Sequence, residues 1–433
     1  MKVSVIGCGY LGAVHASAMA DLGHEVVGVD VDQRKIDALS AALPPFFEPG
    51  LPEILASASE SGKLRFSIDI SAVADATVHF IAVGTPQTQG SAAADMTYVE
   101  AALDGLLPHL KPGDLVVGKS TVPVGTAQKL ADVIEASGTG ASLAWNPEFL
   151  REGFAVQDTL TPDRLVYGVE NDSATEILDE VYADALSKGT PRIVTDFATA
   201  ELVKVAANAF LATKISFINA MAEISEVVGA DVTQLADAIG HDVRIGRKFL
   251  NAGIGFGGGC LPKDIRAFAA RAEELGRGES VAFLKQVDAI NLRRRQRVID
   301  LALNEFGGSV VGKRIAVLGL TFKPASDDVR DSPALDVAVQ LHGLGAEVVA
   351  TDPQGIENAR LRHPQLTYVD AASEALTGAD LVLLVTEWDE YKNLSAKTTG
   401  ELVQNRTIID GRNVLDAGIW RSNDWKYIGL GRP

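Results

Sequence analysis

Val3-Ser4-Val5-Ile6-Gly7-Cys8-Gly9-Tyr10-Leu11-Gly12 decides the fold. Val3 to Ile6 reads as a buried parallel strand, and Gly7, Gly9 and Gly12 fit G-x-G-x-x-G opening a helix. The glycines permit a tight turn and let a pyrophosphate approach the helix N-terminus. A second strand, Glu25 to Val29, ends in Asp30, whose carboxylate is placed to accept hydrogen bonds from the adenine ribose hydroxyls. With Asp32 close by, it repels a 2′-phosphate, so the expected cofactor is NAD rather than NADP. Cys8 reads as a small residue in the turn.

The α/β rhythm continues. Val78 to Val83 is a strand ending at Gly84-Thr85-Pro86, and Leu115 to Lys119 is another ending at Ser120-Thr121-Val122-Pro123-Val124-Gly125. Both put hydroxyl-bearing turns at strand carboxyl ends, where a doubly wound sheet binds its ligands; taken singly, each reads more readily as an ordinary helix cap. Leu143-Ala144-Trp145 leads into Asn146-Pro147-Glu148-Phe149-Leu150-Arg151-Glu152-Gly153. That shaped loop is a candidate for water activation and substrate contact.

From Ala198 to Val228 there is no Pro or Gly, which predicts one long helix. Lys204 and Asn208 share a face of it and could donate to a developing oxyanion. The apolar character of much of its circumference suggests burial between domains or against a second subunit. Arg244, Arg247 and Lys248 form a basic island suited to a phosphate. A glycine-dense run from Gly253 to Gly259 then delivers Cys260 beside Lys263 and Asp264. A nearby ammonium favours the reactive thiolate, and such a run lets the backbone approach a ligand closely. Arg293-Arg294-Arg295 is expected on a solvated helix face.

Lys313 to Leu320 is a new strand into a turn at Gly319, and Glu347 to Thr351 ends in Asp352, repeating the N-terminal plan. With one turn glycine left, this half has the fold without the dinucleotide fingerprint. Lys323 and Arg412 sit just past strand ends, where a ligand would lie. The expected architecture is α/β: two Rossmann-like doubly wound domains (1–195 and 301–433) joined by a central helical domain (196–300) with one long helix.

Composition narrows the function. A net charge of -18 over 433 residues argues against nucleic-acid or anionic-membrane partners, although local Arg and Lys clusters can still bind an anionic small molecule. Two cysteines, Cys8 and Cys260, give no disulfide framework, and the chain enters a strand directly without a signal-peptide pattern; a cytoplasmic protein is expected. The most apolar segment, Leu202 to Ile224, is interrupted by Lys204, Asn208, Lys214 and Glu223. The histidines show no metal-ligand spacing, so no metal is expected.

Taken in order, the Gly7–Gly12 turn, Ser120–Pro123, Asn146–Gly153, the helix from Lys204 to Asn219, Arg244-Ile245-Gly246, the Cys260 loop, Gly319–Pro324 and Asp410-Gly411-Arg412 resemble the UDP-glucose/GDP-mannose dehydrogenase family over nearly the whole chain. Asn208 to Phe217 looks like its UDP-glucose branch, with the UDP-N-acetylhexosamine and GDP-mannose branches as alternatives. A non-catalytic nucleotide sensor would have no use for Cys260, Lys204 and Asp264 together. Two departures are visible: Gly259 stands where a Ser commonly precedes the thiol, and Ala220 where a Glu commonly follows Asn219.

The resemblance implies a four-electron oxidation of a nucleotide-sugar C6 alcohol to a carboxylate by two NAD, through a thiohemiacetal and a thioester on Cys260. Lys204 and Asn208 would stabilise the oxyanions, and Asp264 with Thr121 would handle an ordered water. Glu148, with Asp264 as alternative, would be the hydrolytic base. Gly7, Gly9, Tyr10, Leu11, Gly12, Asp30, Lys35, Thr85, Pro86, Thr121, Glu152, Lys263 and Arg330 match the NAD site. Phe149, Leu150, Glu152, Lys204, Asn208, Arg244, Phe249, Asn251, Phe256, Gly257, Cys260, Phe322, Lys323 and Arg412 match positions around the substrate, expected to be UDP-glucose. A homodimer through the long helix is expected.

Overall fold

The computed structural model describes residues 1–433. The chain forms two compact units, Met1–Ala207 with Ala270–Gly278, and Asn208–Ala269 with Glu279–Pro433.

The first unit is built on β1 (Lys2–Ile6), β2 (Glu25–Val29), β3 (Leu64–Ser67), β4 (Val78–Ile81), β5 (Leu115–Gly118), β6 (Ser142–Trp145), β7 (Leu165–Val169) and β8 (Arg192–Thr195). They lie in the order β3-β2-β1-β4-β5-β6-β7-β8, parallel except for the antiparallel β6–β7 pair. Ile6 stands opposite Val29 on one side and Ile81 on the other. Because side chains alternate along a strand and both faces are covered at the centre of the sheet, β1, β4 and β5 are largely apolar, whereas the edge strand β8 is exposed. Val3, Val5, Phe80 and Val117 pack against Ala13, Val14 and Met19 of the first helix (Tyr10–Asp21). Ile6, Val29, Ile81 and Val116 face a second layer that includes Leu103, Leu106 and Leu130.

The second unit repeats the plan with β9 (Arg314–Leu318), β10 (Glu347–Thr351), β11 (Thr367–Tyr368), β12 (Leu381–Leu384), β13 (Thr407–Asp410) and β14 (Lys426–Gly429). Its order, β11-β10-β9-β12-β13-β14, is parallel throughout and reverses direction beside the first strand as the N-terminal sheet does. Ile315, Val317 and Leu383 pack beneath the helix Pro333–Gly343, while Ala316, Leu318 and Leu384 meet Leu376, Trp420 and Trp425 on the other face.

The long helix runs from Phe197 to Val228 without interruption. By length and composition it could cross a membrane, but it is a core helix. It buries polar groups that hydrogen-bond to specific protein partners. The Glu201 carboxylate accepts from the backbone N–H groups of Gly125 and Ala127 at 2.7 Å each, Ser216 donates to the Val287 carbonyl, and Asn219 accepts from the Gly253 N–H. Phe210, Phe217 and Ile224, seven residues apart in turn, lie exposed along another stripe.

The arginine triplet corrects the expectation of a solvated face. On the helix Phe283–Glu305, Arg293 alone lies outward, paired with Glu223. Arg294 is fully buried; it pairs with Glu226 at 3.2 Å and donates to the Gly253 carbonyl at 3.3 Å. Arg295 is buried against Asp331 (2.8 Å) and Asp336 (3.3 Å). Consecutive helical residues point about 100° apart, so three identical side chains cannot share one environment.

Candidate active site

The first unit gathers the N-terminal half of the proposed machinery. Gly7 has φ +92° and lies against Val83, and a Cβ on Gly12 would come within 1.7 Å of the Gly7 carbonyl oxygen, so neither position admits a side chain. Around Gly9, by contrast, a Cβ would meet nothing within 4 Å, leaving that part of the turn open. Asp30 accepts from the N–H groups of Cys8 (2.8 Å) and Asp32 (3.0 Å), and the Lys35 ammonium sits 3.2 Å from it. Burial, reinforced by Asp30, pushes the Cys8 thiol far up, so it stays an inert thiol as expected. The Thr85 hydroxyl donates to the Thr121 carbonyl at 2.8 Å, tying two strand-end turns together, with Pro86 exposed beside them. Leu11 is half-buried on the first helix.

The Asn146–Gly153 loop is fixed at both ends. Asn146 donates to the Val166 carbonyl, while the buried Glu48 accepts from the N–H groups of Gly153 (2.6 Å) and Ala155 (2.7 Å) and from the Tyr10 hydroxyl. Between these anchors, Glu148 accepts the Leu150 N–H on one oxygen and stands 3.3 Å from Lys204 Nζ with the other. The Phe149 ring centroid lies 3.8 Å from the Arg164 guanidinium and 5.6 Å from Lys204 Nζ. Leu150 packs on the core and Glu152 is half-buried. Glu148, Phe149 and Lys204 therefore form one cluster.

The second unit carries the thiol. Cys260 is exposed and immediately precedes the helix Leu261–Glu274, whose positive N-terminal end favours a thiolate. Asp264, in the first turn and buried, accepts from Asn208 Nδ2 at 2.7 Å, and the Lys263 ammonium lies 2.8 Å from its other oxygen. Lys204 and Asn208 are one turn apart on the long helix, each already carrying a carboxylate partner.

In the thiol loop the glycines admit neighbouring parts of the protein itself. A Cβ would strike the Gly411 carbonyl from Gly253 (2.7 Å), Asn291 from Gly255 (2.5 Å), the Asp331 carbonyl from Gly257 (2.2 Å), the Phe322 ring from Gly258 (2.8 Å) and the Arg330 guanidinium from Gly259 (2.6 Å). The protein itself fills the vacated space, and residues 252–258 are all buried. Asn291 brackets Phe256 by accepting from its N–H and donating to its carbonyl, and Arg412 donates to the carbonyls of Gly255, Phe322 and Val385. Gly259 admits the Arg330 guanidinium beside the thiol. The Lys323 ammonium lies 5.5 Å from the Phe322 ring. Arg244 stands in solvent with Asp242, Phe249 is partly exposed at φ +65°, and Asn251 accepts from Arg247.

Residues 1–186, 198–293 and 316–417 match, in turn, the NAD binding domain, the central domain and the UDP binding domain of one family. The chain belongs to the UDP-glucose/GDP-mannose dehydrogenase family. It is 42% identical to the UDP-glucose 6-dehydrogenase of Rhizobium meliloti, with all of both chains covered. A UDP-glucose dehydrogenase structure from Pyrobaculum islandicum matches at 39% identity and a TM-score of 0.91, covering 100% of this chain and 98% of that one. A UDP-D-ManNAc dehydrogenase structure from Pyrococcus horikoshii matches at 26% and 0.86, covering 100% and 99%.

This family member is an NAD-dependent nucleotide-sugar dehydrogenase with a UDP-sugar binding domain. The open cradle at Gly9, with Asp30 at the end of β2, fits NAD; Gly7 to Gly12 would face the pyrophosphate and Asp30 the adenine ribose. Its C-terminal counterpart, Asp352, is consumed by the protein. It accepts from the N–H groups of Leu320, Thr321, Gln354 and Gly355, the Thr321 hydroxyl and the Trp388 indole. That saturation ties the Asp352 carboxylate to its own turn. No motif marks Glu48 or Asn291, and the sequence places Arg294 only within a charged triplet; their importance lies in which loop they hold.

Proposed function

We propose that this family member oxidises the C6 alcohol of UDP-glucose to the carboxylate through a covalent intermediate on Cys260. The observation that carries the reading is an exposed thiol at a helix N-terminus, one turn from a buried carboxylate holding Asn208. A two-electron alcohol dehydrogenase needs no such nucleophile, whereas acid formation does. Bound NAD supplies the electron acceptor, twice for each acid formed.

The remaining chemistry belongs to side chains. As the alcohol is oxidised its proton leaves O6 for an ordered water that we assign to Asp264, and Lys204 and Asn208 donate to the oxygen as charge develops on it. Cys260 Sγ then bonds to the aldehyde carbon, giving a thiohemiacetal whose oxidation leaves a thioester. Water adds to that carbon, the C–S bond breaks and the thiolate returns. We assign the base for this water to Glu148, whose charge is balanced by Lys204 at 3.3 Å, while Asp264 orients the Asn208 amide. Phe322, Lys323 and Arg412, beyond the ends of β9 and β13, are assigned to the nucleotide half of the substrate.

The test is NAD reduction measured across UDP-glucose, UDP-N-acetylhexosamines and GDP-mannose. UDP-glucose should be preferred and should yield two NADH per acid. A ratio of one would sink the four-electron mechanism; preference for another sugar would move the protein to a sibling specificity.

The exposed Phe210–Phe217–Ile224 stripe supports a homodimer through the long helix, because three large apolar side chains in line on one face otherwise remain in water. Light scattering should give twice the chain mass for the wild type and a monomer for the double substitution Phe210→Glu and Phe217→Glu. A dimer surviving both changes would place the interface elsewhere.

A further inference from the structure

Lys119, the residue after β5, is buried, yet no carboxylate lies within hydrogen-bonding distance of it. Its ammonium donates to Asn146 Oδ1 at 2.9 Å, to the Tyr182 hydroxyl at 3.2 Å and to the Asn146 carbonyl at 3.5 Å. It also lies 5.8 Å and 5.7 Å from the ring centroids of Phe80 and Tyr182. The Tyr182 hydroxyl in turn donates to Asn146 Oδ1 at 2.7 Å, closing a triangle that is buried at every corner. Burying a lysine among neutral partners is costly, and hydrogen bonds to them offset only part of the lost hydration. Here it grips both the backbone and the side chain of Asn146, two residues before Glu148.

We propose that Lys119 is a positioning residue: through Asn146 it sets the turn that presents Glu148 to Lys204, and its charge is part of that setting. This rests on the role assigned to Glu148 above. Three acceptors match the three N–H groups of an ammonium; a neutral amine has two and must release one acceptor. The charged and titratable groups facing Lys119 are Glu148 from the Asn146–Gly153 loop, Lys204 from the long helix, Tyr182, and His15 from the first helix. His15 is held neutral, first by burial and then by the Lys119 charge. Burial, with Lys204 adding to it and Glu148 opposing it, brings the Lys119 ammonium down to about 8. The grip on Asn146 therefore weakens as pH rises through that value.

The test is steady-state NAD reduction by the full-length protein, with the nucleotide sugar that the wild type turns over fastest, from about pH 6.5 to about pH 9.5, a range spanning the Lys119 transition. The wild type should lose kcat on a basic limb near pH 8. Lys119→Met should lower kcat by about 10- to 100-fold with KM values within about 2-fold, and should abolish the limb. Tyr182→Phe removes one acceptor from the cation at little change of shape, and should move the limb to lower pH; it decides the matter if Lys119→Met does not fold. A Lys119→Met enzyme with wild-type kcat and profile, one with only KM altered, or a Tyr182→Phe enzyme with an unmoved limb overturns the proposal. Failure of the wild type to reduce NAD with any nucleotide sugar instead brings down the functional reading, and the role of Glu148 with it.

Discussion

Replacing Cys260 with serine should lower the rate of acid formation by about 1,000-fold or more, equivalent to roughly 4 kcal/mol of transition-state stabilisation. The sulfur is exposed at the start of the helix Leu261–Glu274, where the helix dipole favours the anion. A serine hydroxyl there stays protonated at neutral pH, adds to an aldehyde weakly, and once acylated is a poorer leaving group than a thiolate. Slow formation of an oxygen ester is therefore expected, visible as substrate-derived mass on the intact protein. The substitution is nearly isosteric at an exposed position, so the thermal midpoint should hardly move. Near-normal acid production by Cys260→Ser would remove the thiol from the mechanism.

The largest expected loss of stability comes from Arg294→Met. Its guanidinium is fully buried, paired with Glu226 and bonded to the Gly253 carbonyl. Removing one partner of a buried pair costs about 3–5 kcal/mol, and Arg297, which keeps its 2.7 Å contact with Glu226, holds the cost near the lower figure. For a cooperative unit of roughly 200 residues this lowers the melting temperature by about 6–12 °C. Arg293→Met, one residue away on the exposed face, should change stability by less than about 0.5 kcal/mol. Equal effects of the two substitutions, read by calorimetry, would refute the assignment of Arg294 to the interior.

Much of the architecture was legible because it rests on local rules. The Gly7–Gly12 turn shows in sequence because steric clash with Val83 and the Gly7 carbonyl forbids side chains there. The long helix shows because it lacks Pro and Gly, and the strands show because sheets covered on both faces need continuous apolar runs. The second nucleotide fold shows in the repeated strand-to-Asp plan, although Asp352 turns out to serve its own loop.

The candidate site divides in the same way. Residue type and order alone mark Cys260, Lys204, Asn208, Asp264 and Glu148, since a thiol, an ammonium, an amide and carboxylates in shaped loops carry their chemistry in their side chains. Sequence by itself thus determined the fold class and the family, and named the candidate reactive groups. Tertiary structure decided which group holds which: Lys204 on Glu148, Asn208 on Asp264, Glu48 on Gly153, Arg294 on Gly253, Lys119 on Asn146. It also decided that the glycines around Cys260 make room for Asn291, Phe322 and Arg330. The physical reason is that hydrogen bonds, ion pairs and steric exclusion depend on distances between residues remote in the chain. A buried lysine and an exposed one are the same letter until the fold removes the water.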